Sequence, residues 1–442
     1  MPTKLVAVVP TCSNPRVLCR LVAIGILGLA AGCLGEPNLP ACTDGRDETC
    51  QARGDGYCRC SDGLCFKSDC PSVTCDTNQG DRTTAVGCTT ASTTLDGSFL
   101  GPLSVASDGT IRTLNTAGVL IELDRQLMVT RTTNLGLPTS STQVVVAHAG
   151  AGLVSNAGAI EVVNSNHLTL SADGMALVSA PISHDDGYLV LTESGRLLSL
   201  SENRSPLQSE PLFGAPVASA SLVLTHDAET LWATVSGVGL VRIDLQDVST
   251  AVAQIVCSDV LTPPAIRDDG VVVAAGASTL VAVTRDGTVV SHETGHSPLP
   301  PVIHDIAIIV AYSDFDQIEA FDLVVKKQLA RYWFSETLSA FPTVPVTLGE
   351  ADIGVVGLAD GRLQSFSIPR SVTTAPLGWY VDFGSALAGP PAQQSTGDWV
   401  VLTTDGQVRS LHGVPATRVP WPRLRADSAS SGRQSSPPTD RR

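Results

Sequence analysis

Pro264-Ala265-Ile266-Arg267-Asp268-Asp269-Gly270-Val271-Val272-Val273-Ala274-Ala275-Gly276-Ala277-Ser278-Thr279-Leu280-Val281-Ala282-Val283-Thr284-Arg285-Asp286-Gly287-Thr288-Val289-Val290-Ser291 holds four short β-branched runs separated by three tight turns. Asp-Gly suits a hairpin because glycine accepts the positive φ that a primed turn requires. The valine-rich runs suit strands packed on both faces. The stretch therefore predicts a four-stranded antiparallel sheet over Pro264 to Ser291.

The same order returns around Asp186-Gly187 and Ser194-Gly195, around Asp360-Gly361 and around Asp405-Gly406. Prolines 102, 138, 181, 216, 264, 301, 342 and 391 lead the successive copies, with a mean spacing of about 41 residues. A period of that length with four strands per copy predicts an all-β chain, a β-propeller of four-stranded blades. Eight blades fit the landmarks, with seven as the alternative. No long helical period interrupts the pattern.

The 442 residues are 43% hydrophobic and 16% charged, enough to bury a large core. The formal net charge is -15, which opposes nucleic-acid phosphates. Residues 1–32 carry Lys4, Arg16 and Arg20 without an acid, and residues 415–442 carry six arginines against Asp427 and Asp440. The body between them is more acidic than the whole and favours basic partners or cations.

Arg16 and Arg20 precede the apolar run Leu21 to Ala31, followed by Gly32 and Cys33. That is the three-part shape of an export signal, too short to span a bilayer. Leu29-Ala30-Ala31-Gly32-Cys33 resembles a bacterial lipobox, which implies cleavage before Cys33 and acylation of its thiol; an ordinary signal peptide is the alternative. The expected address is extracytoplasmic, lipid-anchored in the outer membrane and facing the periplasm or the cell surface. The lipid is then the one membrane attachment.

Cys42, Cys50, Cys58, Cys60, Cys65, Cys70, Cys75 and Cys88 fall close together after this signal and read as a disulfide framework. Zinc is the competing reading, but no paired Cys-x-x-Cys spacing and no histidine occur between Cys42 and Cys88. Gly56-Tyr57-Cys58-Arg59-Cys60-Ser61-Asp62-Gly63-Leu64-Cys65 resembles the Cys-x-Cys hairpin of epidermal-growth-factor-like modules. Cys257, in an apolar run, reads as a buried thiol, with a bond to the module or to a second chain as the alternative. The expected organisation is a signal over 1–32, a tether over 33–41, the disulfide-rich module over 42–88, the propeller over 95–414 and an Arg/Ser/Pro tail over 415–442 without a packed core.

Leu280-Val281-Ala282-Val283-Thr284-Arg285-Asp286-Gly287 and Ile318-Glu319-Ala320-Phe321-Asp322, the latter followed by Leu329 and Trp333, resemble the repeat of quinoprotein-alcohol-dehydrogenase-like (PQQ-like) propellers. That superfamily includes pyrroloquinoline-quinone enzymes and the outer-membrane barrel-assembly propeller lipoprotein. The family's Thr-Gly is missing after Asp322, and with five tryptophans in the chain the enzymes' tryptophan girdle is not there. The resemblance implies a bacterial lipoprotein that binds other envelope proteins, with no cofactor. A degenerate quinoprotein or another propeller enzyme with a central-channel site is the alternative.

His292-Glu293-Thr294-Gly295-His296 satisfies the H-E-x-x-H pattern of zinc proteases, whose chemistry needs a helix to point both imidazoles at one metal. Here the motif follows a strand, contains a glycine and runs into Pro298, Pro300 and Pro301, so a connecting loop without metal is expected. Gly-x-Ser-x-Gly, Walker A and Gly-x-Gly-x-x-Gly do not occur, and no catalytic residue is assigned.

Aligned on the prolines, His184, Arg267 and His304, each followed by an aspartate (Asp185, Asp268, Asp305), fall at the end of the innermost strand of their blades and read as turn residues. The opposite mouth is expected to gather Glu193, Asp314, Asp316, Asp360 and Asp405 from second-turn loops, either as solvated hairpins or as an acidic rim for a cation or a basic partner. Mass spectrometry of the mature chain should find an acylated Cys33 as its first residue; retention of residues 1–32 would overturn the address.

Overall fold

The computed structural model describes Tyr57–Arg59, Cys65–Lys67 and residues 89–412, apart from 102, 107, 137–145, 149–150, 157, 164–166, 185–186, 305–306, 313–316, 323–326, 334–346, 349–352, 359–360 and 368–376. The described residues form an all-β propeller of eight four-stranded antiparallel blades. Blade 1 runs from Ser104 to Asn134, blade 2 from Val146 to Ser171, blade 3 from Ile182 to Gln208 and blade 4 from Ala220 to Cys257. Blade 5 runs from Ala265 to Glu293, blade 6 from Val302 to Trp333 and blade 7 from Thr347 to Asp382.

Blade 8 is composite. Its three inner strands are Ala392–Gln393, Trp399–Leu402 and Gln407–Leu411, and its outermost strand is Thr89–Thr94. Thr94 pairs with Gln407, Thr93 with Val408 and Ser92 with Arg409. The sheet thus takes in six residues lying before position 95, where the repeat pattern places the propeller's start. The reason is stereochemical: the last copy supplies only three strands, and its third strand would otherwise present a bare hydrogen-bonding edge.

Within blade 5 the strands are Ala265–Ile266, Val272–Ala275, Thr279–Val283 and Val289–Glu293, close to the runs expected from the sequence. Every residue of Val272–Ala275 is buried, because each blade packs a neighbour on both faces. The core is accordingly a chain of clusters between blades. Leu153, Ile160 and Val162 of blade 2 meet Val190, Leu198 and Leu200 of blade 3. Leu191 and Leu197 of blade 3 meet Leu222, Leu231 and Val241 of blade 4. Ile111, Ile121 and Leu123 of blade 1 meet Ala392, Val400 and Leu402 of blade 8, which closes the circle. Each such side chain contributes about 1.5–3 kcal/mol on burial.

Arg112 and Glu122 form a buried ion pair at 2.6 Å between neighbouring strands of blade 1. A Cβ at Gly152 of blade 2 would lie 2.8 Å from the Arg112 side chain, so glycine leaves room for the arginine at the blade 1–blade 2 contact. Ahead of the ring, Tyr57–Arg59 and Cys65–Lys67 pair as a hairpin with Cys58 opposite Phe66. This agrees with the hairpin expected around the Cys-x-Cys pattern. Cys33, Cys42, Cys50, Cys60, Cys70, Cys75 and Cys88, like the 415–442 tail, lie outside the described residues.

One expectation is overturned. Cys257 is not an inert thiol: it is disulfide-bonded. It is fully buried at the end of the outermost strand of blade 4, and an apolar site accommodates a half-cystine as readily as a thiol, so burial could not separate the two. A chain beginning at Thr89 and one beginning at Leu95 differ only by the closing strand. The shorter chain should be less stable by about 3–5 kcal/mol, from ladder hydrogen bonds of roughly 1 kcal/mol each; equal urea midpoints would refute the closure.

Candidate functional site

The turns between second and third strands form one mouth of the ring, and there the structure places Glu193 and Asp405. Both side chains are exposed. Glu193 is held through its backbone, its N–H donating to the Ala176 carbonyl and its carbonyl accepting from the Val217 N–H, each at 2.8 Å. Asp405 accepts a hydrogen bond from the Thr403 hydroxyl, which holds its carboxyl below the ordinary range. Asp314, Asp316 and Asp360 lie outside the described residues.

The opposite face is built from the turns that follow the innermost and third strands. His184 is the last residue of its innermost strand, opposite Gly187. His304 takes the equivalent register opposite Ala307. Arg267 follows directly on Ala265–Ile266 and is buried, its guanidinium 2.7 Å from Asp269. Asp268 beside it is exposed, and Asp185 and Asp305 lie outside the described residues. His148 shares this register, opposite Ala151. Alignment on prolines missed it because ten residues separate it from Pro138, although His148-Ala149-Gly150 ends a β run as the others do.

The H-E-x-x-H residues begin on a strand. His292 and Glu293 belong to Val289–Glu293, and His296 follows in the connection to blade 6. The His292 ring packs 4.8 Å from that of Phe321, and the His296 ring 5.6 Å from that of Tyr312, so both imidazoles serve the contact with blade 6. Tyr312 donates a 2.6 Å hydrogen bond to the buried carboxylate of Glu319. The two rings pack on different aromatic partners and no helix carries them, which removes the convergence that zinc hydrolysis needs. Among the described residues no group of three His, Cys, Asp or Glu side chains could hold a metal ion.

This face carries a cleft of about 400 Å³ between blades 3 and 4. It is lined by His184 and Ser201, the last residues of the innermost and third strands of blade 3, by Arg204, Ser205 and Leu207 of its outermost strand, and by Asp227, Ala228 and Asp247 of blade 4. Two departures from the repeat shape it. Ala228 takes φ 60°, where the corresponding first turn of blade 1 has Gly109 at φ 87° and that of blade 5 has Gly270 at φ 82°. Val248–Thr250 forms the one 3-10 turn among the described residues, capped by Asp247.

Both carboxylates of the cleft are held ionised. The Thr225 hydroxyl donates to Asp227 Oδ1 at 2.6 Å and the Glu229 N–H at 3.1 Å, and these bonds, led by that from Thr225, lower its pKa with help from the field of His226. Asp247 Oδ1 accepts from the Ser249 N–H at 2.8 Å and from its hydroxyl at 2.9 Å, with the same direction.

The ring is similar to BamB from Moraxella catarrhalis. The identity is 14% and the TM-score 0.55, over 74% of this chain and 99% of that one, which shows the fold. A streptogramin B lyase is similar at 10% identity and TM-score 0.46, over 72% of this chain and 96% of that one. The Myceliophteria thermophila Cps50 (Swd1) β-propeller domain is similar at 10% identity and TM-score 0.47, over 74% and 99%. No family profile matches the chain, and no curated protein matches it in sequence.

The cleft residues Arg204, Asp227 and Asp247 escaped sequence reasoning, although Asp227-Ala228 in place of Asp-Gly marks a break in the repeat. Ala228→Gly should stabilise the protein by about 1 kcal/mol, the cost of a left-handed alanine, read from the urea midpoint. The lowered pKa of Asp227 means stability that is present above the unfolded value near 3.8 and lost as pH falls through the folded value. Asp227→Asn should therefore flatten the acid limb of the stability curve; an unchanged limb would refute the turn lock.

Proposed function

We propose that the protein is a non-enzymatic, lipid-anchored propeller of the cell envelope that acts as a protein–protein interaction scaffold, with the cysteine-dense segment 42–88 as a crosslinked spacer between lipid and ring. The observation that carries this reading is the polar cleft assembled from strand ends and turns of two neighbouring blades of a closed ring. Its support is physical. A closed ring gives rigid placement to loops, and rigid loops bind with little ordering cost.

Charge suits a basic partner. The chain carries -15 overall, and Glu193 and Asp405 stand exposed at the second-turn mouth, adding to the negative potential there. The likeness to BamB supplies the fold on which such a role is built.

Full-length protein used as bait in detergent-solubilised envelopes should capture a defined partner, and raised salt should weaken the capture. Recovery of nothing above background would sink the scaffold reading.

A further inference from the structure

We propose that the cleft between blades 3 and 4 is a docking site for an extended peptide segment that inserts a lysine or arginine side chain, a proposal that rests on the scaffold reading. The cleft reaches from His184, at the end of an innermost strand, to Ser205 and Leu207 on an outermost one. A ligand that fills it is therefore elongated and lies radially across the face. At about 400 Å³ the space falls within the usual range of ligand sites.

The lining matches the two halves of a long basic side chain. Ala228, Leu245, Val248 and Leu207 supply aliphatic surface for the methylene stem, and Leu207 is left 50% exposed on its own. Asp227 and Asp247 supply the charge. Each spends Oδ1 on its own turn, and among the described residues no hydrogen bond or ion pair reaches either Oδ2. A cationic head group would complete these carboxylates with charge-assisted hydrogen bonds.

Arg204 offsets one of the two negative charges, so the Asp and Arg side chains of the lining together keep a net charge of about -1. The hydroxyls of Ser199, Ser201 and Ser205 line the same space and suit the N–H and C=O groups of a peptide backbone. No tryptophan, tyrosine or phenylalanine lines the cleft, which disfavours a stacked sugar or base.

The test is calorimetric titration of the full-length chain with acetylated nonapeptides of Ser, Thr and Val carrying a central Lys, Arg, norleucine or Glu. The Lys and Arg peptides should bind, norleucine should bind roughly tenfold more weakly, as expected for one charge-assisted hydrogen bond, and Glu should not bind. Asp227→Asn and Asp247→Asn keep a turn acceptor and should each weaken the Lys peptide about as much, while the fold is retained and the melting temperature falls only by the small amount that the lost turn charge contributes. Equal affinity for Lys and norleucine, full affinity in both variants, or binding of free spermine but of no peptide would overturn the proposal. Envelope capture run with the wild type and with the double variant separates the two claims. Identical capture without peptide binding removes the cleft and keeps the scaffold, whereas no capture by the wild type removes the scaffold itself.

Discussion

The hydrogen-bonded ladder between Thr89–Thr94 and Gln407–Leu411 joins the start of the ring to its end. A propeller blade has no stable face of its own, since residues such as those of Val272–Ala275 are buried on both sides by the neighbouring blades. Each blade therefore depends on the next, and the last depends on the first. Were the ladder absent, the cluster joining Ile111, Ile121 and Leu123 to Ala392, Val400 and Leu402 would have one open flank. That would expose apolar surface and an unpaired strand edge together.

Closure also explains why most loops do so little. A hairpin fixed at both ends by a blade has few conformations left, and its polar residues are consumed in holding it. Thr284 with Asp286, and Thr403 with Asp405, show that economy: a hydroxyl and a carboxylate satisfy each other and the backbone of their own turn. The acidic residues that look like a ligand rim in the sequence are thus, where described, first of all turn residues. The blade 3–blade 4 cleft differs because two local irregularities coincide there, the left-handed Ala228 and the 3-10 turn Val248–Thr250.

Much of this was legible in the chain. The spacing of the prolines and the Asp-Gly pairs gave the blade repeat, and the strands of blade 5 fall within a residue or two of the runs read from Pro264 to Ser291. The registers of His184 and His304 were legible too, since position along a hairpin is a local property. His148 was not, because a longer connection displaces it from its proline. Ala228 carried a signal in the missing glycine, but only its φ of 60° shows that the turn geometry was kept at a cost.

The sequence by itself determined the strands, their turns and the repetition of blades, eight favoured over seven, because those follow from φ preferences, β-branching and hydrogen bonds within a few residues. Tertiary structure alone decided which segment completes blade 8, that Cys257 is half of a disulfide, and that His292 and His296 pack on Phe321 and Tyr312. It also decided that turns from two different blades enclose a cleft. These depend on the summed rotation of successive blades, which brings together residues far apart in the chain and leaves no trace in the local pattern of any one of them.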